Sequence, residues 1–260
     1  MTSTIWSLRQ GDGPVAAAAI HDGHDLRPEV RELMALSEAD RLREEDPFTG
    51  GWTEVCPTRI VGLHSRFEID LNRPRSKAVY RKPEDAWGLE VWKGELPGDV
   101  ARRSLAGYDA FYRAMERLFS EMARQHGHFM VFDLHSYNHR RGGPDAAPDD
   151  PEANPQVNLG TGSMDRRFWA PVVDRFIGDL RAFPFPGGPL DVRENVKFRG
   201  ARFSGWVHEN FPRTGCSIAI EVKKFFMDEW TGVPDRALLA AVGEALKSTV
   251  PGVIEELERL

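Results

Sequence analysis

Histidines and carboxylates end or interrupt three short apolar runs, and these residue types can bind a metal ion or transfer a proton. His21 follows the run 14–20, His135 closes the run 129–135, and Glu221 lies inside the run 216–222. A carboxylate inside an apolar run must be paired, metal-bound or shifted in pKa, because burying a bare charge is costly. The pattern therefore indicates a polar site assembled from several strand ends.

Zinc chemistry suits these residue types. A catalytic zinc ion needs about three protein ligands, drawn from imidazole and carboxylate groups, and leaves one position open for water. The ion lowers the pKa of that water to ~7, and a nearby carboxylate can then take its proton. A single histidine at a strand end is more often a hydrogen-bonded structural residue, but several such groups at one sheet edge favour a metal site. Cys56 and Cys216 form no CxxC pair, so a thiolate zinc site is not predicted.

A second polar cluster spans residues 65–73, with the sequence SRFEIDLNR. Guanidinium groups match carboxylates in bidentate geometry, so Arg66 and Arg73 are candidates for an anion-binding site. By itself, however, the cluster is better explained as a strand that carries solvated arginines.

Buried strands that alternate with helices are expected to position these groups. Strands are predicted at 14–20, 59–63, 67–71, 129–135 and 216–222. Helices are predicted at 27–45, 102–127, 165–183 and 234–260, and loops at 74–101 and 140–156. This order predicts a single α/β domain over residues 1–260, with a mixed, mostly parallel sheet flanked by helices. In such sheets, ligands bind at the carboxyl ends of the strands.

Composition narrows the class of protein. The chain has 260 residues, of which 41% are hydrophobic and 28% charged, as is typical of a globular protein with a sizeable core. A net charge of −6 argues against nucleic acid as the main partner. The N-terminus lacks the apolar run of a signal peptide, and the run 15–20 is too short to span a bilayer. We therefore expect a cytoplasmic protein with no membrane partner, and the oligomeric state stays open.

The sequence resembles the N-formylglutamate amidohydrolase family and, more distantly, the zinc carboxypeptidase and aspartoacylase group. The resemblance implies a zinc-carboxypeptidase-like (phosphorylase/hydrolase-like) fold and one Zn²⁺ per chain. Short motifs carry the resemblance along nearly the whole chain: IHDG at 20–23, ED at 45–46, SR at 65–66, DLNR at 70–73, DLHS at 133–136, NLGT at 158–161, IAIE at 218–221 and MDE at 227–229.

The resemblance also implies roles for individual residues. His21 and His135 correspond to zinc ligands, and Glu221 corresponds to the general base. Arg66 would stabilise the charge on the reacting carbonyl oxygen, and the pair Asn72 and Arg73 would bind a carboxylate of the substrate.

The third zinc ligand is the open point of this assignment. Zinc carboxypeptidases use His-x-x-Glu, whereas this chain has His24 three residues after His21. In the formylglutamate family the acidic ligand corresponds to the region of Glu45 and Asp46. Asp46 is the preferred ligand, with His24 and Glu45 as alternatives. Asp133 suits the role of orienting an imidazole, although it is equally explained as a strand cap.

The activity implied by the resemblance is zinc-dependent hydrolysis of an N-acyl amino acid such as N-formyl-L-glutamate, a small substrate that bears a carboxylate. One alternative is another zinc hydrolase, either a carboxypeptidase-like peptidase or a different N-acyl amidohydrolase. An alternative of another class is a non-catalytic regulatory protein that binds a metal or a small acid.

Overall fold

One mixed sheet organises the computed structural model, which describes residues 4–260. Its strands are β1 (Trp6–Arg9), β2 (Val15–Ala19), β3 (Thr58–Gly62), β4 (Phe129–Tyr137), β5 (Val157–Gly160), β6 (Val192–Glu194) and β7 (Gly215–Lys223). They lie in the order β1-β3-β2-β4-β7-β5-β6. Strands β3, β2, β4 and β7 are mutually parallel, as are β5 and β6, whereas β1 pairs antiparallel with β3 and β5 antiparallel with β7. The predicted mixed, mostly parallel sheet is confirmed.

Helices cover both faces of the sheet. They are α1 (Pro28–Leu33), α2 (Glu38–Glu44), α3 (Thr49–Trp52), α4 (Gly98–His126), α5 (Ala170–Ala182), α6 (Arg202–Asn210) and α7 (Arg236–Leu257). Alternate residues of β2 enter two different cores: Ala16 and Ala18 pack in the core shared with α4 and α6, and Ala17 and Ala19 in the core shared with α5 and α7. Burial on both faces explains why the central strands are continuous apolar runs.

The predicted helix 27–45 is wrong as one element, because the chain breaks it into α1 and α2. Met34 adopts an extended conformation and pairs with Trp92 in an isolated β-bridge. Ser37 then caps α2, its hydroxyl oxygen accepting a hydrogen bond from the amide of Asp40. A long-range contact therefore overrides the local helical pattern.

The predicted strand 67–71 is also wrong, because this segment forms turns. The amides of Glu68 and Ile69 both donate to the carbonyl of Ser65. The alternation of apolar and acidic residues suggested one buried and one solvated face. In the fold both sets are buried, because Glu68 pairs with Arg27 and Asp70 is paired as described below.

Helix α7 is the one helix within residues 4–260 that is long and apolar enough to cross a membrane by length and composition. Core helices of soluble proteins pass the same test. The side of α7 that carries Val242, Leu246 and Val253 is buried in the core shared with α5. The cytoplasmic location stays a prediction.

Candidate functional site

The carboxyl ends of β2 and β4, with the segment after α2, bring three potential metal ligands together. His21 lies just beyond β2, and His135 lies in β4, directly opposite Glu221 of β7 in the parallel register. His21, Asp46 and His135 are buried, and each offers one ligand atom within 4.8 Å of the others. Oδ2 of Asp46 lies 2.9 Å from Nδ1 of His135 and 3.5 Å from Nδ1 of His21.

Asp46 is held in place and kept ionised by its neighbours. Its backbone amide donates to the carbonyl of His21, at 3.0 Å. Burial by itself would raise the pKa of Asp46, but hydrogen bonds and charge from His135 and His21 outweigh burial and hold that pKa well below its usual range. The carboxylate is therefore ready to act as an anionic ligand.

A buried aspartate orients each of the two imidazoles. Nε2 of His21 donates to Oδ1 of Asp70 at 2.8 Å, and Nε2 of His135 donates to Oδ1 of Asp133 at 2.9 Å. Both Nδ1 atoms therefore face Asp46. Each Nδ1–H can donate a hydrogen bond to this carboxylate, and loss of that proton would free a lone pair for a metal ion. Two imidazoles with carboxylate partners, together with a further carboxylate, form a donor set typical of catalytic zinc. Asp133 contacts His135 in this way, and its orienting role stays a prediction.

The two alternative third ligands form a separate network. Nδ1 of His24 lies 2.5 Å from Oε2 of Glu45, whose other carboxylate oxygen accepts the hydroxyl of Ser65. Arg41 donates to the carbonyl of His24 at 2.9 Å. Because His24 and Glu45 are paired with each other, Asp46 is the one of the three that lies with His21 and His135.

Asp70 connects the candidate ligands to the candidate catalytic arginine. Besides His21, its carboxylate accepts hydrogen bonds from Nη2 of Arg66 at 2.9 Å, the hydroxyl of Tyr80 at 2.5 Å and the amide of Asn72 at 2.8 Å. Burial would raise the pKa of Asp70, but the charge of Arg66, together with the contributions of His21 and Tyr80, outweighs burial and holds that pKa well below its usual range. Sequence reasoning assigned Asp70 no role; its four-residue spacing from Arg66 was the available signal.

Glu221 has a different environment from the other acids of the site. Its carboxylate makes no hydrogen bond or ion pair with any side chain in the described part of the chain. Burial raises the pKa of Glu221 to about 7, an effect that the charge of His135 reduces and that of Asp46 increases. A carboxylate with that pKa can both accept and return a proton near neutral pH.

All seven predicted site residues line one cavity of about 290 Å³. The candidate ligands and Glu221 form one part of the lining. Arg66, Asn72 and Arg73 form another part. Nδ2 of Asn72 lies 3.2 Å from Nε2 of His135, and its Oδ1 accepts the amide of Phe203. Cavity-lining residues that sequence reasoning missed include Glu44, Trp87, Asn138, Arg141, Phe198, Ala201 and Lys224.

Lys224 is the most deeply buried of these additional residues. Its Nζ donates to the carbonyls of Arg43 at 2.6 Å and Glu45 at 2.8 Å, and so fixes the segment that leads into Asp46. Burial lowers the pKa of Lys224 to about 8. Arg141 lies nearer the solvent, where it forms an ion pair with Glu44 at 3.1 Å.

His208 does not lie with the candidate metal ligands His21, Asp46 and His135. Its Nδ1 bonds the hydroxyl of Ser163 at 2.9 Å, and its Nε2 accepts the amide of Ser217 at 3.0 Å. Burial lowers the pKa of His208 to about 4, so the imidazole is neutral at physiological pH. These bonds give it a structural role.

The fold and the site define an α/β protein with a candidate metal centre at the carboxyl edge of its sheet. The family model of N-formylglutamate amidohydrolase matches residues 13–227, and the chain therefore belongs to this family, as its motifs predicted. No curated protein matches the chain.

Two solved structures share the fold. An N-formylglutamate amidohydrolase from Ralstonia eutropha JMP134 is 16% identical with a TM-score of 0.77, and the match covers 98% of this chain and 99% of that one. The gene product Atu2144 from Agrobacterium tumefaciens is also 16% identical, with a TM-score of 0.64 and 96% of each chain covered. At these identities the likeness shows the fold alone.

Proposed function

We propose that this chain is a zinc-dependent amidohydrolase that cleaves the amide bond of an N-acyl amino acid, with N-formyl-L-glutamate as the expected substrate. The observation that carries the proposal is a cavity whose lining brings together the cluster of His21, Asp46 and His135 and the unpaired carboxylate of Glu221. Family membership supports the choice of amide and acyl group.

One zinc ion per chain would be held by Nδ1 of His21, Nδ1 of His135 and a carboxylate oxygen of Asp46. These donors fit zinc because both imidazoles are fixed in the required tautomer by Asp70 and Asp133. When bound, zinc supplies Lewis acidity, which makes water a nucleophile at neutral pH and polarises a carbonyl group.

Glu221 would serve as the general base and then as the general acid. It removes a proton from the attacking water as the new C–O bond forms at the acyl carbon. It then delivers that proton to the nitrogen as the C–N bond breaks. For N-formyl-L-glutamate the products are formate and L-glutamate. A pKa of about 7 suits both transfers, because neither protonation state is strongly disfavoured near neutral pH.

The arginines would bind the negative charges of the reaction. The Arg66 guanidinium, held by Asp70 and Tyr80, would stabilise the oxyanion that develops on the carbonyl oxygen. Arg73, which lies 3.4 Å from Asp70 and stacks on the Tyr80 ring, would bind a carboxylate of the substrate together with Asn72.

Replacing Glu221 with Gln tests the proposed base. Gln keeps the size of the side chain but cannot accept the proton, so kcat should fall by about 10²–10⁴-fold while bound zinc is retained. Zinc is measured by elemental analysis and turnover by formate release. Glu194→Gln is the matched control, since Glu194 lies on β6 of the same sheet but does not line the cavity. Unchanged turnover in the Glu221 variant would refute the base assignment.

Single alanine substitutions test the proposed ligands. His21→Ala, Asp46→Ala and His135→Ala should each lose bound zinc. His24→Ala should keep it, because His24 is paired with Glu45 rather than with the cluster. Zinc retained in Asp46→Ala and lost in His24→Ala would reverse the choice of the third ligand.

A further inference from the structure

Trp87 is the large apolar side chain of the cavity that is most open to solvent. It is 51% exposed, although it lines the same cavity as the candidate metal ligands. An aromatic side chain that is open to solvent within a ligand cavity offers a surface on which an apolar part of a ligand can pack. It lies in the segment predicted as a long loop at 74–101, and the sequence alone assigned no individual role to Trp87.

The backbone holds Trp87 in a conformation that bulky residues rarely adopt. Trp87 ends a short 3-10 helix, Pro83–Ala86, with φ 55° and ψ 28°, in the left-handed region. The turn is fixed by the amide of Gly88, which donates to the carbonyl of Pro83 at 2.8 Å, and by Asp85, which accepts the amides of Arg81 and Lys82. Such strain concentrates at functional sites, where the surrounding structure maintains it.

The indole of Trp87 flanks both arginines assigned to the substrate. The guanidinium carbon of Arg66 lies 5.0 Å from the centroid of the indole, and that of Arg73 lies 5.8 Å from it. The Tyr80 ring approaches the indole edge to face, at 6.4 Å. The aromatic pair Tyr80 and Trp87 therefore frames the two guanidinium groups, an arrangement that favours cations over other groups at these positions.

Given the function proposed above, on which this inference rests, we infer that Trp87 is a specificity-determining residue of the substrate site. Its indole forms an apolar wall that packs against the aliphatic stem of the amino-acid part of the substrate. The carboxylate at the end of that stem binds Arg73, together with Asn72, beside the indole. The substrate class is thus an N-acyl amino acid in which a short methylene chain adjoins a carboxylate. Binding covers the exposed indole and removes water from the neighbouring ion pairs.

Kinetics of Trp87→Ala and Trp87→Phe test the role in specificity. The alanine variant loses both the apolar wall and the cation–π contacts, so KM for N-formyl-L-glutamate should rise about tenfold. Its kcat should change by less than about threefold, because the indole touches none of the reacting atoms. The phenylalanine variant keeps a ring over the arginines and should be intermediate. N-formylglycine, which lacks the methylene chain, should lose little from either substitution.

Trp6→Phe is the matched control, since Trp6 packs edge to face on Phe111 and does not line the cavity. All its constants should equal those of the unsubstituted protein. A Trp87→Ala variant whose KM for N-formyl-L-glutamate is unchanged, or whose kcat falls while KM does not move, would overturn the inference. A merely structural residue would lower kcat and the affinity for all N-formyl amino acids together.

A binding measurement separates this inference from the proposed function. L-glutamate is titrated into the zinc-loaded protein, and intrinsic fluorescence and calorimetry are recorded. Glutamate should change the fluorescence, the Trp87→Phe variant should lack most of that change, and Trp87→Ala should bind about tenfold more weakly. Binding with this pattern but without turnover of N-formyl-L-glutamate refutes the activity and supports the role of Trp87. Turnover with a normal Trp87→Ala variant does the reverse, and no glutamate binding to the unsubstituted protein refutes the inference.

Discussion

Asp70→Asn is the substitution that most directly tests how the site is held together. The carboxylate of Asp70 accepts hydrogen bonds from His21, Arg66 and Tyr80 in the interior of the protein. An amide has one acceptor oxygen, so Asn at this position can serve either His21 or Arg66 but not both. The variant therefore removes a buried charge partner without changing the size of the side chain.

The structure sets the size of the expected effects. Removing one partner of a buried ion pair costs about 3–5 kcal/mol, because the remaining charge is left uncompensated. Only 14% of the Arg66 side chain is exposed, so water cannot take over the role of Asp70. Losing the carboxylate behind a ligating imidazole lowers metal affinity by about 10–100-fold. Asp70→Asn should show both effects.

Asp133→Asn is the matched comparison, because it also removes the carboxylate behind a candidate ligand. The second oxygen of Asp133 accepts the hydroxyl of Ser204 at 2.8 Å, and a hydroxyl can rotate to accept from an amide. No arginine is left unpaired in this variant. Its zinc affinity should fall by the same about 10–100-fold, with a loss of stability of only about 1 kcal/mol.

Two measurements separate these outcomes. Zinc affinity is determined by competition with a chromogenic chelator, and the free energy of unfolding of the metal-free protein by urea titration. If the two variants lose equal stability without metal, Asp70 does not compensate Arg66 as inferred. If Asp70→Asn binds zinc as tightly as the unsubstituted protein, His21 is not a ligand that depends on this carboxylate.

Three other substitutions test the surroundings of the site. Lys224→Met removes the donor that fixes the segment before Asp46 and should lower zinc affinity about tenfold, measured by chelator competition, whereas Lys223→Met should not. The fold lowers the pKa of His208 to about 4, so below pH ~6.5 this imidazole binds a proton more readily in the unfolded protein than in the folded one. The free energy of unfolding is therefore not reduced by His208 above pH ~6.5. Urea titrations should show that roughly 3 kcal/mol of stability is lost as pH falls from ~6.5 toward 4, a loss that His208→Gln lacks. Gly23→Ala places a Cβ 2.3 Å from the backbone carbon of Leu63 and should lower the free energy of unfolding by about 1–3 kcal/mol, as measured by thermal unfolding. In the control Gly178→Ala the new Cβ on α5 meets no atom within 4 Å, so the protein should not be destabilised.

The central strands could be predicted because each is a continuous apolar run that can be recognised without knowledge of its neighbours in the fold. The apolar runs at 14–20, 129–135 and 216–222 are long enough for a strand. They lack the apolar–polar alternation of a strand with one solvated face, and they correspond to β2, β4 and β7. Strands β1, β5 and β6 were missed because each has only three or four residues. The helix at 27–45 was predicted too long because its break depends on Trp92, far along the chain.

The sequence by itself determined which chemistry this protein can carry. His21, His135 and Glu221 lie in or next to buried strands, and all seven predicted site residues line one cavity. Only the tertiary structure decided how they are arranged. Asp46 lies with the histidines because Glu45 is turned toward His24 and Ser65, and Asp70 reaches His21 across 49 residues of chain. Neighbouring residues have similar spacing and charge, and only packing determines which of them faces the cavity.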